Sequence, residues 1–192
     1  MKKAMNKAMN KAMNKAIFLD RDGVINTDHA YVHQIADFEF IDGVFAACRH
    51  FIAKGYLLVI VTNQSGIGRG YYTEQDFAAL TEWMTGEFAK QAIPVSAVYF
   101  CPHHPKNALP AYLQACDCRK PQPGMLLQAV DEFNIDVSRS LMIGDKPSDM
   151  GAAIAAGVAR KVLVRSGQTF SVDDVALADE IWQSLAEGIE RV

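Results

Sequence analysis

The order of apolar and amphipathic segments constrains the fold of this chain most strongly. Short apolar runs rich in β-branched residues recur along the sequence, and helical patterns separate them. The predicted strands are 17–19, 57–61, 95–100, 141–143 and 162–164. The predicted helices are 44–53, 74–92, 123–133 and 147–156. This alternation predicts an α/β fold, with a Rossmann-like parallel sheet and flanking helices.

Local signals fix several of the helix ends. Thr73 precedes the second helix, and Asp76 follows three residues later, close to a capping box. Pro123 suits the first turn of the third helix, and Gly157 suits the C-cap of the fourth. These signals support the predicted bounds.

The first 15 residues differ from the rest because Lys-Ala-Met-Asn recurs in them. A period of four drifts against the 3.6-residue helical repeat, so the methionines would wind around a helix instead of forming one apolar face. We therefore expect a low-complexity extension over 1–15 and a single domain over 16–192. A helix that binds a partner is the alternative for the repeat.

The charge of the chain limits its partners. The formal net charge is −3, but five of the 19 basic residues precede Ala16, which leaves 14 against 22 acidic residues, or −8. Because so acidic a body repels polyanions, the sequence predicts no nucleic-acid partner. An anionic substrate would need a metal ion and a few placed cations.

Hydropathy gives further expectations about surroundings. No apolar run reaches the roughly 18 residues of a membrane-spanning helix, and the lysine-rich start lacks the apolar centre of a secretory signal. The sequence thus predicts no membrane partner and a cytoplasmic location. We expect a monomer, because no long exposed apolar stripe calls for a second chain.

Polar residues directly follow three of the predicted strands. Asp20, Thr62 and Asp145 each stand at a carboxyl end, where open α/β sheets bind their ligands. Any one of them alone is a common turn or cap residue. Three at one edge, together with Lys120, predict a catalytic site.

The residue types suit phosphoryl transfer. Asp20 can attack phosphorus to form an aspartyl-phosphate, and Asp22 can protonate the leaving alcohol and later deprotonate water. Gly23 permits the sharp turn that would bring both carboxylates to one pocket. Thr62 and the backbone N–H groups of 63–66 would bind the phosphoryl oxygens, and Lys120 would balance their charge.

A magnesium site follows from the same carboxylates. Asp145 would complete it with Asp20 and the backbone carbonyl of Asp22, since Mg²⁺ prefers oxygen ligands. Asp149 lies one helical turn later, and we expect it to orient Lys120 or the metal shell instead of binding the metal.

Three cysteines and a histidine have the spacing of a zinc site. Cys101 and His103 are followed by Cys116 and Cys118, a complete Cys₃His set for structural Zn²⁺. Four reduced residues in a loop are the alternative. The neighbouring His104 is expected in solvent or beside the metal shell. A zinc ion here would fix the segment that presents Arg119 and Lys120, whereas Cys48 is predicted to be an ordinary core residue.

Four motifs resemble those of the haloacid dehalogenase (HAD) phosphatases. They are Asp20-Arg21-Asp22-Gly23, Thr62-Asn63-Gln64-Ser65, Arg119-Lys120-Pro121, and Gly144-Asp145 with Asp149. The intervals 24–61 and 66–119 are too short for the mobile cap that most members of this superfamily carry. The resemblance therefore implies an open, capless phosphatase.

A capless HAD phosphatase with this zinc loop is similar to two families. These are the D-glycero-D-manno-heptose 1,7-bisphosphate 7-phosphatases and the histidinol-phosphate phosphatases. The segments 28–33 and 38–44 look like the heptose enzymes, and the similarity runs from about Ala16 to Ser166. It implies a sugar bisphosphate as substrate and a role in making the heptose precursor of lipopolysaccharide.

That resemblance also implies substrate contacts. Asp28, His29 and Tyr31 would contact the sugar, and Arg119 would bind the distal phosphate through its guanidinium. The expected substrate-binding set is completed by three residues of the second motif, Asn63, Gln64 and Ser65. A surface loop is the alternative for His29 and Tyr31.

Two other classes of protein share some of these sequence features. A zinc-stabilised binding module without activity would have no need of the intact pair Asp20 and Asp22. A nucleotide-binding protein is suggested by the glycine-rich segment 66–70, which nevertheless matches neither G-x-G-x-x-G nor a Walker loop. Arg69 in that segment is an unassigned candidate for a substrate contact.

Overall fold

The computed structural model describes residues 13–192, and a parallel sheet forms their centre. Its six strands in these residues are β1 (Lys15–Leu19), β2 (Tyr56–Asn63), β3 (Ala97–Cys101), β4 (Leu141–Gly144), β5 (Arg160–Val164) and β6 (Glu180–Trp182). Their order is β3-β2-β1-β4-β5-β6, and every neighbouring pair is parallel. The predicted fold class is confirmed.

Helices connect the strands on both faces of the sheet. Those in residues 13–192 are α1 (Val44–Ala53), α2 (Ser65–Gly68), α3 (Glu74–Lys90), α4 (Gly124–Phe133), α5 (Pro147–Ala156), α6 (Val172–Val175) and α7 (Gly188–Arg191). The capping box of Thr73 and Asp76 is present, and Gly157 caps α5 in the left-handed conformation. Pro123 is the N-cap of α4 instead of its first helical residue.

Alternating residues of the strands build two cores. Ile17 and Leu19 pack with α1 and α3 on one face of the sheet, and Cys48 lies in that core as predicted. Ala16 and Phe18 pack with α4 and α5 on the other face. Both faces are buried, which explains why the strands are continuous apolar runs in the sequence.

Among the strands of residues 13–192, β6 is the one that the sequence did not predict; the short helices α2, α6 and α7 were not predicted either. Strand β6 has three residues, and a charged residue, Glu180, begins it, so it carries almost no periodic signal. Trp182 is nevertheless fully buried and secures this edge of the sheet. The context of the fold, not local propensity, makes it a strand.

The N-terminal repeat falls mostly on residues 1–12, which lie outside the described residues. Strand β1 begins at Lys15, and the Asn14 N–H donates to the Asn134 carbonyl at 2.9 Å. Asn14 and Lys15 are thus part of the folded body, while the division of the chain at residue 16 stays a prediction. The expected monomer and cytoplasmic location also stay predictions. Among residues 13–192, no helix is long and apolar enough to cross a bilayer.

The predicted capless architecture is confirmed for the described part of the chain. Between β1 and α1 lies a loop with one short 3₁₀ helix, Ile35–Asp37, and no inserted domain. The carboxyl-end edge of the sheet is therefore open above β1, β2 and β4.

Candidate active site

The strand order brings the predicted motifs together at one pocket. Because β1 lies between β2 and β4, the residues that follow these strands meet where the strand order reverses. A pocket of about 310 Å³ occupies this place. The predicted site residues that line it are Asp20, Asp22, Asp28, Tyr31, Thr62, Asn63, Gln64, Ser65, Arg119 and Lys120.

Asp20 lies at the floor of the pocket beside Lys120. Its Oδ1 is 3.0 Å from Lys120 Nζ and accepts the Arg21 N–H at 2.8 Å. Burial alone would raise the pKa of Asp20, but the charges of Lys120 and Lys146 outweigh it and hold this pKa below its usual value. Within residues 13–192, Asp20 Oδ2 accepts no hydrogen bond, which leaves an ionised oxygen for attack.

Asp149 anchors Lys120 from the other side. Its Oδ1 is 2.6 Å from Lys120 Nζ, and its Oδ2 accepts the Lys146 N–H at 3.0 Å. Lys120 Nζ also donates to the Val61 carbonyl at 2.7 Å. Both carboxylate oxygens of Asp149 are therefore engaged, which supports the predicted orienting role over metal binding.

Asp145 has one oxygen suited to a cation. Its Oδ2 accepts the Gln168 N–H at 2.9 Å, while its buried Oδ1 accepts no hydrogen bond from residues 13–192 and lies 3.3 Å from Lys146 Nζ. Burial, with the nearby charge of Asp20, raises the pKa of Asp145 to about 7. Oxygens of Asp20, Asp145 and Asp149 lie within 4.8 Å of one another. Because both oxygens of Asp149 are already engaged, Asp20 and Asp145 are the pair of hard-oxygen ligands that fits Mg²⁺.

Asp22 is held at the rim of the pocket by buried partners. Arg21 Nη2 donates to its two oxygens at 2.8 and 2.9 Å, and Asn26 Nδ2 donates to Oδ1 at 3.1 Å. Gly23 makes the predicted turn with a φ of +84°, and a Cβ there would lie 2.4 Å from Asp145 Oδ2. The turn therefore requires glycine, both for its conformation and for the close approach of Asp145.

Residues of the second motif serve partly as supports. The Asn63 amide donates to the Lys120 carbonyl and accepts the Lys120 N–H, both at 3.0 Å. Gln64 donates to Thr62 Oγ1 at 2.8 Å. The Asn63 side chain therefore binds the backbone of Lys120, while Asn63 and Ser65 both line the pocket and their expected substrate contacts stay predictions.

The predicted sugar-binding loop reaches the pocket at two of its three residues. Asp28 lines it and accepts from Gln168 Nε2 at 3.0 Å, with Lys146 Nζ at 3.4 Å. Tyr31 lines it and packs edge to face on Tyr71. His29 is not among the lining residues, since its ring lies 3.5 Å from Glu39 on a neighbouring surface.

The cysteine loop brings its four predicted ligands together. Cys118 Sγ lies 3.1 Å from Cys101 Sγ, 3.3 Å from Cys116 Sγ and 3.5 Å from His103 Nδ1. Cys101 Sγ is 3.5 Å from Cys116 Sγ and 3.7 Å from His103 Nδ1. Tetrahedral zinc with bonds of about 2.0–2.3 Å needs donors separated by roughly 3.3–3.8 Å. The cluster therefore fits Zn²⁺ in its donor types and nearly in its size.

Arg119 connects this cluster to the pocket. Its Nη1 donates to the carbonyl of His103 at 3.1 Å, while the side chain lines the pocket. Within residues 13–192 no carboxylate lies within 4.0 Å of its guanidinium. A cation held in this way is available to an anionic ligand.

Sequence reasoning missed several residues of the site. Lys146 balances the charge of Asp145 and Asp28, and its position next to Asp145 in the sequence was the available signal. Arg21 stands within the first motif, but nothing there reveals that it is fully buried against Asp22. Gln168 and Tyr72 reach the pocket from separate loops and carried no signal.

The fold and the site define a hydrolase of the HAD type. A family model described as HAD-hydrolase-like matches residues 117–187. Two curated relatives, from Yersinia pestis and Escherichia coli K12, are each 53% identical over 172 residues. They are covered to 92% and 90% of their own lengths, and 90% of this chain is matched. Both are named D-glycero-β-D-manno-heptose-1,7-bisphosphate 7-phosphatase.

A solved structure agrees with these relatives. The D,D-heptose 1,7-bisphosphate phosphatase of B. bronchiseptica, in complex with magnesium and phosphate, superposes with a TM-score of 0.78 at 28% identity. The match covers 92% of this chain and 97% of that one. This chain belongs to the D-glycero-β-D-manno-heptose-1,7-bisphosphate 7-phosphatase family.

Proposed function

We propose that this chain hydrolyses the 7-phosphate of D-glycero-β-D-manno-heptose 1,7-bisphosphate, a step in making the heptose precursor of lipopolysaccharide. The β anomer and the position follow the names of the relatives at 53% identity. The observation that carries the proposal is the buried arrangement of Asp20, Lys120 and Asp149 at a pocket that Asp22 also lines.

The first step transfers the phosphoryl group to the protein. An Asp20 oxygen forms a bond to phosphorus as the bond between phosphorus and the sugar oxygen breaks, and Asp22 gives its proton to that oxygen. Thr62 and Lys120 stabilise the charge on the phosphoryl oxygens. The dephosphorylated sugar, still carrying the phosphate at carbon 1, then leaves.

The second step restores the carboxylate. Asp22 takes a proton from water as the water oxygen attacks phosphorus, and the bond between phosphorus and the Asp20 oxygen breaks. The products are inorganic phosphate and free Asp20. The same Asp22 thus serves first as acid and then as base.

Two metal ions would suit two separate groups of ligands, one in the pocket and one in the cysteine loop. Mg²⁺ would be held by Asp20, Asp145 and the Asp22 carbonyl, and it would neutralise charge between the carboxylates and the phosphate. The buried Asp145 Oδ1, which accepts no hydrogen bond, supports this assignment. Zn²⁺ would be held by Cys101, His103, Cys116 and Cys118, with no ligand position left for water, and so would be structural.

Residues at the open edge of the pocket would select the substrate. Arg119 would bind the phosphate at carbon 1 bidentately, and a guanidinium with no carboxylate partner within residues 13–192 supports this role. Asp28 and Tyr31 line the pocket and would contact the heptose, while Ser65 would bind near the transferred phosphate. His29 belongs to the same loop but faces a neighbouring surface, so no substrate contact is assigned to it.

A substrate panel tests the proposal. Magnesium-dependent phosphate release is measured from both anomers of the heptose bisphosphate, from histidinol phosphate and from common sugar phosphates. Preference for the β-heptose bisphosphate is expected. Preference for histidinol phosphate would overturn the assignment, and no release from any compound would favour a zinc-stabilised binding module.

A further inference from the structure

The amide of Gln64 lies at the centre of a buried hydrogen-bond network in the pocket. Its Nε2 is 2.8 Å from Thr62 Oγ1 and 3.1 Å from Asp22 Oδ2. Its Oε1 is 2.6 Å from the hydroxyl of Tyr72. Gln64 is only 2% exposed, so these partners replace water almost completely. Both polar atoms of the Gln64 side chain therefore have protein partners.

Tyr72 stabilises one orientation of this amide, the one that an ionised Asp22 requires. Because the carbonyl oxygen of Gln64 has no hydrogen, the Tyr72 hydroxyl must donate to it. The NH₂ group is then directed at Thr62 and Asp22. When Asp22 is ionised, as it is before it takes the proton from water, the reversed amide would bring a carbonyl oxygen against its carboxylate, two acceptors with no hydrogen between them.

The orientation determines how Thr62 can act. Its oxygen accepts a hydrogen from Gln64, and the single hydrogen of its hydroxyl remains to be donated. Thr62 lines the pocket at the place proposed for the phosphoryl group. Gln64 therefore prepares Thr62 as a donor to a phosphoryl oxygen.

The network also fixes Asp22 from two sides. Arg21 holds both carboxylate oxygens on one side, and Gln64 holds Oδ2 on the other. A carboxylate bound in this way cannot rotate freely about its side-chain bonds. Proton transfer depends on such placement, because the donor must lie within hydrogen-bond reach of the leaving oxygen.

We propose that Gln64, oriented by Tyr72, is a positioning residue for the proton transfers of Asp22. The inference rests on the proposed phosphatase reaction. Gln64 forms and breaks no bond itself: the bond from phosphorus to the sugar oxygen breaks, and the proton of Asp22 goes to that oxygen. A sugar alkoxide is a strong base and needs the proton, whereas 4-nitrophenolate is a weak base and leaves without it.

The two leaving groups provide the test. Single-turnover rates with Mg²⁺ are measured on the full chain, for β-heptose 1,7-bisphosphate and for 4-nitrophenyl phosphate. Tyr72→Phe should lower the ratio of the heptose rate to the nitrophenyl rate about 10-fold and Gln64→Met about 100-fold, within the range of general acid catalysis. Any loss through Thr62 slows both substrates alike and cancels in the ratio. KM should stay within about twofold, since positioning acts on the chemical step.

Tyr99→Phe is the matched control. Tyr99 also donates its hydroxyl to a side chain, Glu132 at 2.7 Å, but it lies outside the pocket. The ratio of the heptose rate to the nitrophenyl rate should be the same for Tyr99→Phe as for the wild type. Tyr72→Phe keeps the ring that stacks on His33, so its fold should persist even where Gln64→Met fails to fold.

Four results would overturn the proposal. Equal slowing of both substrates, or no slowing, would leave Gln64 with a structural role. A raised KM with unchanged kcat would make it a substrate contact. If the wild type releases phosphate from neither compound, the proposed function fails and this inference fails with it.

Discussion

Lys120 and Asp149 form an ion pair of 2.6 Å, and their side chains are 1% and 0% exposed. Asp20 lies 3.0 Å from the same ammonium group, so the cation is shared between two carboxylates. Burial opposes the charge of Lys120, but Asp149 and Asp20 outweigh it and raise the pKa of this lysine. The pair therefore places a permanent charge beside the proposed nucleophile.

Asp149→Asn should lower kcat by at least about tenfold, because Lys120 would then pair with Asp20 alone and make its carboxylate a weaker nucleophile. Loss of one partner from a buried pair should also cost up to roughly 3 kcal/mol of unfolding free energy. Steady-state kinetics and chemical denaturation measure the two effects. Asp131→Asn, at an exposed position of α4, is the control, and an active Asp149→Asn enzyme would contradict the role of this pair.

His103→Ala should destabilise the protein far more than His104→Ala. His103 lies in the cysteine cluster, whereas His104 only accepts the N–H groups of Lys106 and Asn107. Because bound structural zinc contributes to the free energy of folding, we expect a fall in Tm of roughly 10 °C or more. Thermal unfolding with zinc analysis measures it.

Equal stability of the two histidine variants would contradict a structural zinc site. So would zinc-free wild-type protein that keeps its Tm. His103→Ala should also change the kinetics. The hydrogen bond from Arg119 to the carbonyl of residue 103 should weaken as the loop loosens. KM for the bisphosphate should then rise more than kcat falls.

Glu180→Gln should destabilise the protein at neutral pH but not in acid. The hydrogen bond from Arg160, with that from Trp182, holds the pKa of Glu180 below its usual value despite partial burial. A lowered pKa adds stability above the ordinary value of 4.5, and this stability is lost as pH falls through the folded-state pKa. For a partly exposed pair we expect about 0.5–1 kcal/mol at pH 7.

Urea unfolding at pH 7 and near pH 3 measures this difference. Glu190→Gln changes an exposed glutamate that has no ion pair within residues 13–192, and it should have no effect at either pH. A Glu180→Gln deficit that is the same at both pH values would show that the lost contact is not electrostatic.

The sequence predicted most of the sheet because its strands are buried on both faces and are therefore continuous apolar runs. Capping residues such as Thr73 and Gly157 marked helix ends well, because a cap depends only on the few residues around it. Strand β6 was missed because three residues hold no periodic pattern, and its pairing with β5 depends on the finished sheet.

The site was predictable where a residue stands at the carboxyl end of a strand. Asp20 and Asp145 directly follow β1 and β4, and Thr62 is the last residue but one of β2, not the residue after it. The hydrogen-bond partners of the side chains could not be predicted from the sequence. Asn63 binds the backbone of Lys120 across 57 positions, and Gln64 depends on Tyr72, which a separate loop supplies. Such contacts exist only once the loops are packed together, so residue type and spacing could not reveal them.

The most direct test of the account is the position of the phosphate removed. β-Heptose 1,7-bisphosphate is incubated with the protein and Mg²⁺, and phosphorus NMR follows both phosphates, with Asp20→Asn as the blank. We expect the signal at carbon 7 to be replaced by inorganic phosphate, the signal at carbon 1 to persist, and Asp20→Asn to produce no change. Loss of the phosphate at carbon 1, or turnover by Asp20→Asn, would contradict the account.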